Sequence, residues 1–309
     1  MRVINLRLPE NVAESIDKLA GIHGLSRSEI MRQAMTLYLH IIENVGTLLK
    51  PAAFHVKPAQ VGYMRRGDVI VMKIPTGHAI VVSSASSGAV GPKALDALKV
   101  DGKVLGKYLA RVALMDLIAV GAFPLLLSVT VANERNPTGD SVLKGVRNET
   151  SILGFDQNHI IMEKTEENFQ TRQTGAGLTA VGLANDEELR LGRTAPGDIV
   201  VVVGKPKVGE EVLTAEVKGE IADVRTVMLL TQKKYVHDIA PCGNAGVCFE
   251  AQLLAHSVGR RFRIRENAKI ALDKSAGPAT AVVATLDLEK FEELAFSLKK
   301  PTEVVGEIL

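Results

Sequence analysis

Hydrophobic and polar residues follow three patterns in succession over the first 50 residues. Side chains alternate over residues 3–8, which is the period of a half-buried β-strand. Residues 10–21 and 30–45 carry apolar side chains at helical spacing, and Ser26 and Glu29 have the spacing of a capping box. We therefore predict a strand, a helix, a turn and a second helix, with a strand too short to be stable without a partner.

The rest of the chain mixes short apolar strands with longer helices. Apolar segments at residues 69–74 and 79–83 flank a Pro-Thr-Gly turn and predict a hairpin. The apolar stretch at residues 112–132 has the length of a membrane span, but it carries Asp116 and is broken at Pro124. We interpret it as a buried helix followed by a buried strand, so we expect no membrane partner.

Composition agrees with a folded globular protein. A chain of 309 residues with 46% hydrophobic and 23% charged residues is neither disordered nor fibrous. The absence of Trp and an aromatic content of 4% argue against a base-stacking surface for single-stranded nucleic acid. Cys242 and Cys248 are too few for a disulfide framework, and the first residues lack the apolar segment of a signal peptide. We expect a reduced, cytoplasmic protein.

Residues 2–45 resemble the ribbon-helix-helix family of small DNA-binding repressors. The order of the elements, their lengths and the Gly-x-Ser turn between the helices carry this resemblance. It implies a homodimer, in which two chains pair their strands into a ribbon over a four-helix core. It also implies that Asn5 and Arg7 enter the major groove of a DNA operator and that Ser26 and Arg27 meet a phosphate.

The net charge of the first 50 residues does not decide whether this unit binds DNA. Residues 1–50 contain six basic and five acidic side chains, a net charge of +1. Affinity for DNA comes chiefly from neutralising phosphates, and this balance supplies little of it. The unit therefore either binds DNA or serves only to dimerise the chain.

Two features of the longer second part have the character of a binding site. A loop rich in Ser and Gly at residues 83–93 ends in Lys93, and its small side chains would let backbone amides approach a phosphate. Asp116 lies alone in an apolar helix, where a carboxylate is costly unless it is paired or binds a cation such as Mg2+. The structural alternatives are a solvent-exposed turn for the loop and a hydrogen-bonded carboxylate for Asp116.

Five segments of the second part resemble the aminoimidazole ribonucleotide synthetase (PurM-like) superfamily in their order along the chain. The superfamily includes thiamine monophosphate kinase, selenophosphate synthetase and the hydrogenase-maturation carbamoyl dehydratase. Within it, the stretches at residues 86–91 and 241–246 are most similar to α-ribazole kinase. The five segments are residues 81–93, 110–122, 172–182, 196–204 and 237–239.

The resemblance implies a two-domain body of α/β and α+β class behind a ribbon-helix-helix module. It further implies that the N-terminal sheet joins a second copy in a central barrel, with ATP and Mg2+ near the dimer interface. The predicted boundaries are 1–48 for the module, 49–60 for a linker, 61–165 for the N-terminal α/β domain and 166–309 for the C-terminal α+β domain.

The resemblance and the nearby polar residues together give a set of candidate site residues. Lys93 and Asp116 are the candidates for catalysis, and Asp68, Asp96 and Asp116 are the candidates for Mg2+. Position 85 is Ala where many relatives have Asp, so one metal ligand of the superfamily is absent. The candidates for nucleotide binding are Ser86, Ser87, Gly88, Gly91, Asn133, Asp238 and Gly243.

Two functions from different classes follow. The first is an ATP- and Mg2+-dependent small-molecule kinase or synthetase with a nucleoside-like acceptor such as α-ribazole. The second is a transcriptional regulator, whose body senses a nucleotide or metabolite while its N-terminal module reads an operator. Asp116 and the Ser/Gly-rich loop favour the enzyme, whereas Ala85 favours the regulator.

Overall fold

The structure, a computed structural model, describes residues 7–45, 62–74, 76–154 and 160–309. The chain divides into two units, here called the head and the body. The head is Met1–Val61 with Ile74–Thr76, and the body is Gly62–Lys73 with Gly77–Leu309. The predicted linker at residues 49–60 lies outside the described residues.

Two helices form the described part of the head, α1 (Glu10–His23) and α2 (Arg27–Val45). Gly24 ends α1 in the left-handed conformation, with a φ of 63°, and its N–H donates to the carbonyl oxygen of Ala20. The predicted capping box is confirmed before α2. The Ser26 N–H donates to Glu29 Oε2 over 2.8 Å, and the Glu29 N–H donates to Ser26 Oγ over 3.3 Å.

The head covers little of its own apolar surface. No residue of α1 is buried, and Leu19 and Ile22 are exposed. Of the strand predicted at residues 3–8, only Arg7 and Leu8 are among the described residues. Within the described residues, these two helices leave an apolar surface exposed.

Six strands form the first sheet of the body. The elements up to Asn185 are β1 (Gly62–Arg66), β2 (Val69–Ile74), β3 (His78–Gly88), β4 (Val90–Gly91), β5 (Leu98–Lys99), α3 (Gly102–Ala119), β6 (Phe123–Val131), α4 (Asp140–Thr150), β7 (Ile161–Thr165) and β8 (Gly175–Asn185). The strand order is β1-β2-β3-β8-β6-β7, so the predicted neighbours β2 and β3 are adjacent. β8 runs antiparallel to β3 and β6, and β6 runs parallel to β7.

Helix α3 packs on one face of this sheet and α4 packs on α3. Two glycines permit the close approach of the helices. A Cβ at Gly106 would overlap the carbonyl oxygen of Val142, and a Cβ at Gly145 would overlap that of Lys103. The pair forms a rigid wall behind the sheet.

The apolar stretch at residues 112–132 is a helix, a turn and a strand, as predicted. α3 ends at Ala119, Gly121 turns the chain with a φ of 88°, and β6 follows. Within the part of the chain that the structure describes, this strand is covered on one face only, because Leu127 and Val129 are buried whereas Leu126 and Thr130, which face the other way, are exposed. Among the described residues, no helix is long and apolar enough to span a membrane.

Five strands form the second sheet, in the order β10-β12-β9-β13-β11. Its elements are β9 (Ile199–Val203), α5 (Glu211–Val217), α6 (Val224–Thr231), β10 (Val236–Pro241), α7 (Gly246–Ser257), β11 (Phe262–Ile264), β12 (Val282–Leu286), α8 (Phe291–Leu298) and β13 (Thr302–Ile308). Every residue of β9 and β12 is buried, which shows that this sheet is covered on both faces.

The change from the first to the second sheet lies between Asn185 and Ile199. The domain boundary between residues 165 and 166 stays a prediction. β8 follows that boundary in sequence, yet it pairs on both sides within the first sheet. Its pairing partner β3 is distant along the chain, and no local pattern of side chains reveals such a pairing.

Candidate functional site

A cavity of about 780 Å³ opens in the body between elements of both sheets. The first sheet contributes the β1–β2 turn, the end of β3 and one face of α3, and the second contributes the loop after β10 and parts of α5 and α7. α3 runs along the wall from Val104 to Asp116, a distance of about 18 Å at 1.5 Å per residue. The two ends of the cavity differ in character.

Three carboxylates form the acidic end. Asp68 lies in the β1–β2 turn, which Gly67 permits with a φ of 54°, while Asp116 lies on α3 and Glu250 on α7. Asp68 is exposed, whereas Asp116 and Glu250 are partly buried. The acidic end thus gathers negative charge from three separate elements and both sheets.

Burial and repulsion raise the pKa of two of these carboxylates. The pKa of Asp116 lies well above its usual value, first because of burial and then because of the charges of Asp68 and Glu250. Burial raises the pKa of Glu250 to about 7, with Arg66 opposing and Asp68 adding to the rise. A cation among them would relieve this repulsion, and carboxylate oxygens suit Mg2+. Their oxygens do not all lie within 4.8 Å of one another, so such an ion would keep water ligands.

Arg66 ties the acidic end to the second sheet. Its guanidinium donates to the carbonyl oxygens of Ile239 over 2.6 Å and Arg190 over 3.0 Å, and it pairs with Asp238 at 3.4 Å. The Arg66 side chain is only 12% exposed. Arg66 therefore holds the β1–β2 turn against β10. Its positive charge also partly offsets the negative charges of Asp116 and Glu250.

The other end of the cavity is apolar. Tyr108 of α3 lies in this wall, and its hydroxyl donates to Glu216 Oε2 over 2.6 Å. Arg111 and Lys107 also pair with Glu216, which fixes α5 against α3. The aliphatic side chains of this wall are Leu98, Val100, Val104, Leu105, Leu109, Val112, Val208, Val212 and Leu213. The apolar end suits an uncharged ring rather than a phosphate.

Comparisons with known proteins establish the folds of the two units. Residues 2–40 match the family model described as ribbon-helix-helix protein, copG family. Thiamine-monophosphate kinase from Stenotrophomonas maltophilia is 14% identical with a TM-score of 0.52, over 82% of this chain and 89% of its own. AaThiL complexed with AMPPCP and TMP is 15% identical with a TM-score of 0.55, over 78% and 84%.

HypE, a hydrogenase maturation protein of E. coli, is 16% identical with a TM-score of 0.55, over 74% of this chain and 79% of its own. The body has the PurM-like fold. The head is a ribbon-helix-helix domain. No curated protein matches the chain in sequence. At these identities the solved structures establish the fold of the PurM-like body and nothing finer.

The PurM-like body brings some of the predicted site residues onto the cavity wall and leaves others away from it. Those on the wall are Asp68, Ser86, Ser87, Asp116 and Gly243. Those outside the wall are Gly88, Gly91, Lys93, Asp96, Asn133 and Asp238.

Lys93 and Asp96 are engaged within the protein. Lys93 Nζ pairs with Glu134 Oε2 at 2.5 Å. Asp96 accepts hydrogen bonds from the Lys93 N–H over 2.8 Å and from the N–H and the hydroxyl of Thr174 over 2.6 Å each. The loop after β3 is thereby fastened to the segment before β8, and a Cβ at Gly91 would press on Thr174.

Asn133 and Asp238 are fully buried and bonded to backbone. Asn133 donates to the carbonyl oxygen of Gln173 over 2.8 Å and accepts from the Gly175 N–H over 3.1 Å. Asp238 Oδ2 accepts from the N–H and the hydroxyl of Thr194 over 2.8 and 2.7 Å. Both side chains position the segments around the cavity without lining it.

Two residues of the acidic end, Glu250 and Arg66, were missing from the sequence-based set. Glu250 has a usable signal, because it is the only acidic residue in α7, just as Asp116 is the only one in α3. Arg66 carried none, since it follows Arg65 in a short polar hairpin and its partners are far away in sequence.

The candidate DNA-contacting residues of the head have different surroundings. Arg27 pairs with Asp17, and Ser26 belongs to the capping box. Arg7 is exposed, and Asn5 lies outside the described residues. A phosphate would therefore compete with Asp17 for Arg27.

Proposed function

We propose that the body is an ATP- and Mg2+-dependent small-molecule kinase or synthetase, in which nucleotide and acceptor meet in the cavity. The observation that carries this proposal is the pairing of an acidic end with an apolar end in one cavity of a PurM-like fold. Phosphoryl transfer needs positioning and charge neutralisation more than covalent chemistry, and the acidic end supplies groups for both.

Asp68 and Asp116 would hold Mg2+, with Glu250 facing them from α7. Bound there, Mg2+ would offset the negative charge of the transferring phosphoryl group. Burial, and then the negative charges of Asp68 and Glu250, raise the pKa of Asp116, and these neighbouring charges support a cation at this point. Ala85 lines the same cavity without a carboxylate, and Glu250 adds one from the second sheet.

Small residues beside the acidic end support nucleotide binding. Ser86 and Ser87 at the end of β3 and Gly243 ahead of α7 offer hydroxyl and N–H groups to a polyphosphate. AaThiL was solved with AMPPCP, and another HypE was solved with ATP. Lys93 would reach a phosphate by exchanging its pairing with Glu134. We propose that Gly88, Gly91, Asp96, Asn133 and Asp238 act by shaping the surrounding loops.

The acceptor we propose is an uncharged nucleoside with an apolar base, of which α-ribazole is an example. Among the described residues that line the cavity, Arg66 is the only cation, and it is committed to Ile239 and Asp238. A phosphorylated acceptor would lack a free cationic partner there. The apolar base of a nucleoside would instead pack along α3, with a hydroxyl group of its ribose toward Asp116.

We also propose a homodimer formed through both units. The first sheet exposes apolar side chains such as Ile70 and Leu183 on its outer face, and α1 of the head has no buried residue. Each of these surfaces suits a second copy of the chain.

Thermal unfolding with and without ATP and Mg2+ tests nucleotide binding. Ligand at about 100 times its Kd stabilises a protein by about 2.7 kcal/mol, which is a rise of several degrees in Tm. Asp116→Asn should lose this rise, whereas Asp273→Asn, an exposed carboxylate outside the cavity, should keep it. A wild-type Tm that stays constant at millimolar ATP and Mg2+ would exclude the proposal.

Mass detection of products tests the acceptor. Incubation with ATP, Mg2+ and a panel of α-ribazole, adenosine and thiamine monophosphate should give a phosphorylated product from α-ribazole. Preferential phosphorylation of thiamine monophosphate would show that the apolar wall does not select the acceptor.

A ligand-responsive transcriptional regulator is the second candidate, and the match of the head to the ribbon-helix-helix family favours it. A mobility-shift assay with the DNA upstream of the protein's own gene should then show binding that weakens as the salt concentration rises. The affinity for this DNA should also change when ATP is added. Arg7→Ala should reduce binding, since Arg7 is exposed on the ribbon segment. Absence of a shift at low salt would leave the head as a dimerising unit.

A further inference from the structure

A second cluster of potential ligands lies at one edge of the second sheet, away from the cavity. Asp198 comes directly before β9, His237 is the second residue of β10, and Asp287 directly follows β12. The strand register brings these three residues together, because Leu286 of β12 lies opposite both Ile199 of β9 and Val236 of β10. Potential ligand atoms of the three side chains lie within 4.8 Å of one another.

Asp198 is held in place while one of its oxygens is left without a donor. Its side chain is 3% exposed. Asp198 Oδ2 accepts from the Ala195 N–H over 2.8 Å and lies 2.7 Å from His237 Nδ1. Within the described part of the chain, no group donates to Asp198 Oδ1. Asp198 Oδ1 is therefore available to an ion without the loss of a hydrogen bond.

The other two side chains each keep potential ligand atoms without a partner among the described residues, and both reach solvent. In the described ranges, neither the second ring nitrogen of His237 nor the Asp287 carboxylate has a hydrogen-bond or ion-pair partner. His237 keeps 23% of its side chain exposed, and Asp287 is exposed. An ion could therefore enter from solvent and complete its coordination with water.

We propose that Asp198, His237 and Asp287 form a site for a divalent transition-metal ion, with Zn2+ as the preferred occupant. An imidazole nitrogen with two carboxylates favours Zn2+ and its first-row neighbours over Mg2+ and Ca2+, which take oxygen ligands. The two carboxylates balance the charge of the ion. None of the three residues lines the cavity, so the site is separate from the proposed nucleotide site.

The ion would tie together the ends of three adjacent strands. β10, β12 and β9 are neighbours in the sheet, and each would contribute one ligand from its terminus. Binding should therefore raise the Tm of the protein, because the ion binds the folded state alone.

Calorimetric titration of the full, untagged chain with Zn2+ in excess Mg2+ tests the site. We expect one ion per chain. His237→Gln and Asp287→Asn should each weaken Zn2+ binding by about tenfold or more. Asp287→Asn should keep the wild-type Tm in EDTA because Asp287 is exposed. His237→Gln also removes the contact with Asp198, so its Tm in EDTA is measured as the reference for its Zn2+ titration. Asp198 is left unchanged, because its carboxylate also receives the Ala195 N–H and the variant would fold poorly.

Two control variants separate this site from other Zn2+ ligands. Asp116→Asn removes a carboxylate of the cavity, and Cys248→Ser removes a partly buried thiol. Both should bind Zn2+ as the wild type does. The proposal fails if the wild type shows no saturable binding, if His237→Gln and Asp287→Asn bind normally, or if either control variant loses binding.

Discussion

Within the described part of the body, the second sheet is covered on both faces, whereas the first sheet is covered on one. Val200 and Val201 of β9 point to opposite faces and belong to separate cores, and both are fully buried. In the first sheet, Val81 is fully buried on the inner face, while Ile70 and Leu183 on the outer face are 47% and 36% exposed. Among the described residues of the body, the second sheet is thus covered on both faces, whereas the outer face of the first sheet keeps exposed apolar side chains.

The largest expected effect is loss of the fold when a charge enters the covered sheet. Val201→Asp would bury an unpaired carboxylate in β9, at a cost of more than about 4 kcal/mol. The matched variant Leu183→Asp places the same charge on the outer face of the first sheet and should remain folded. Urea unfolding followed by circular dichroism measures both. Equal destabilisation would show that the two sheets are covered alike.

The sequence predicts the covered sheet more readily than the open one. Residues 199–203 are Ile-Val-Val-Val-Val, a continuous apolar run typical of a strand buried on both faces. The open face is assembled from Ile80, Leu183 and Phe123 on three strands that pair across long stretches of chain. Each strand alone shows only an apolar pattern. The shared apolar surface can therefore be predicted only when the order of the strands in the sheet is known.

Arg66 links the two sheets, and its removal should have the next largest effect. Arg66→Gln would leave the buried carbonyl oxygens of Ile239 and Arg190 without donors, at a cost of about 3 kcal/mol. Arg65→Gln, a change at the exposed neighbouring residue, is the control and should cost less than about 1 kcal/mol. Differential scanning calorimetry gives both values, and similar values for the two variants would contradict the role of Arg66 as a tie.

How much of the candidate site can be predicted from the sequence also depends on whether a residue's partners are near it or far from it along the chain. Asp116 is recognisable as a lone carboxylate in an apolar helix, and the structure places it at the acidic end. Lys93 is equally conspicuous in sequence, yet it pairs with Glu134 and does not line the cavity. Arg66 depends on β10, which folds against it from the far end of the chain, and no local pattern records that contact.

The open face of the first sheet should show its role in solution as a dimer contact. Leu183→Asp would place a charge at the centre of the apolar outer face, where Leu183 pairs with Ile80 and Phe123. If head and body contacts reinforce each other in one dimer, loss of the body contact should raise the dissociation constant by about a hundredfold or more. Sedimentation equilibrium of the full chain measures it, with Leu183→Ile as the control. An unchanged constant would leave the first sheet open in solution.

The smallest expected effect concerns the acidic end, where the two sheets meet. Glu250 has a pKa of about 7 in the folded protein against 4.5 ordinarily, so the folded state binds more protons than the unfolded state between these values. The contribution of Glu250 to stability therefore falls as pH rises from about 4.5 to 7. Glu250→Gln removes this loss, because the amide stays neutral.

In EDTA, the difference in Tm between Glu250→Gln and the wild type should increase in favour of the variant as pH rises from 5 to 8. A change of about 1 kcal/mol in the free energy of unfolding corresponds to an increase of a few degrees. Arg66 opposes the rise in pKa, so Arg66→Gln should widen the difference. Glu289→Gln, at an exposed position outside the cavity, serves as the control. Parallel Tm curves for Glu250→Gln and the wild type would mean that α7 does not bring its carboxylate to the acidic end, and the two sheets would then not share one site.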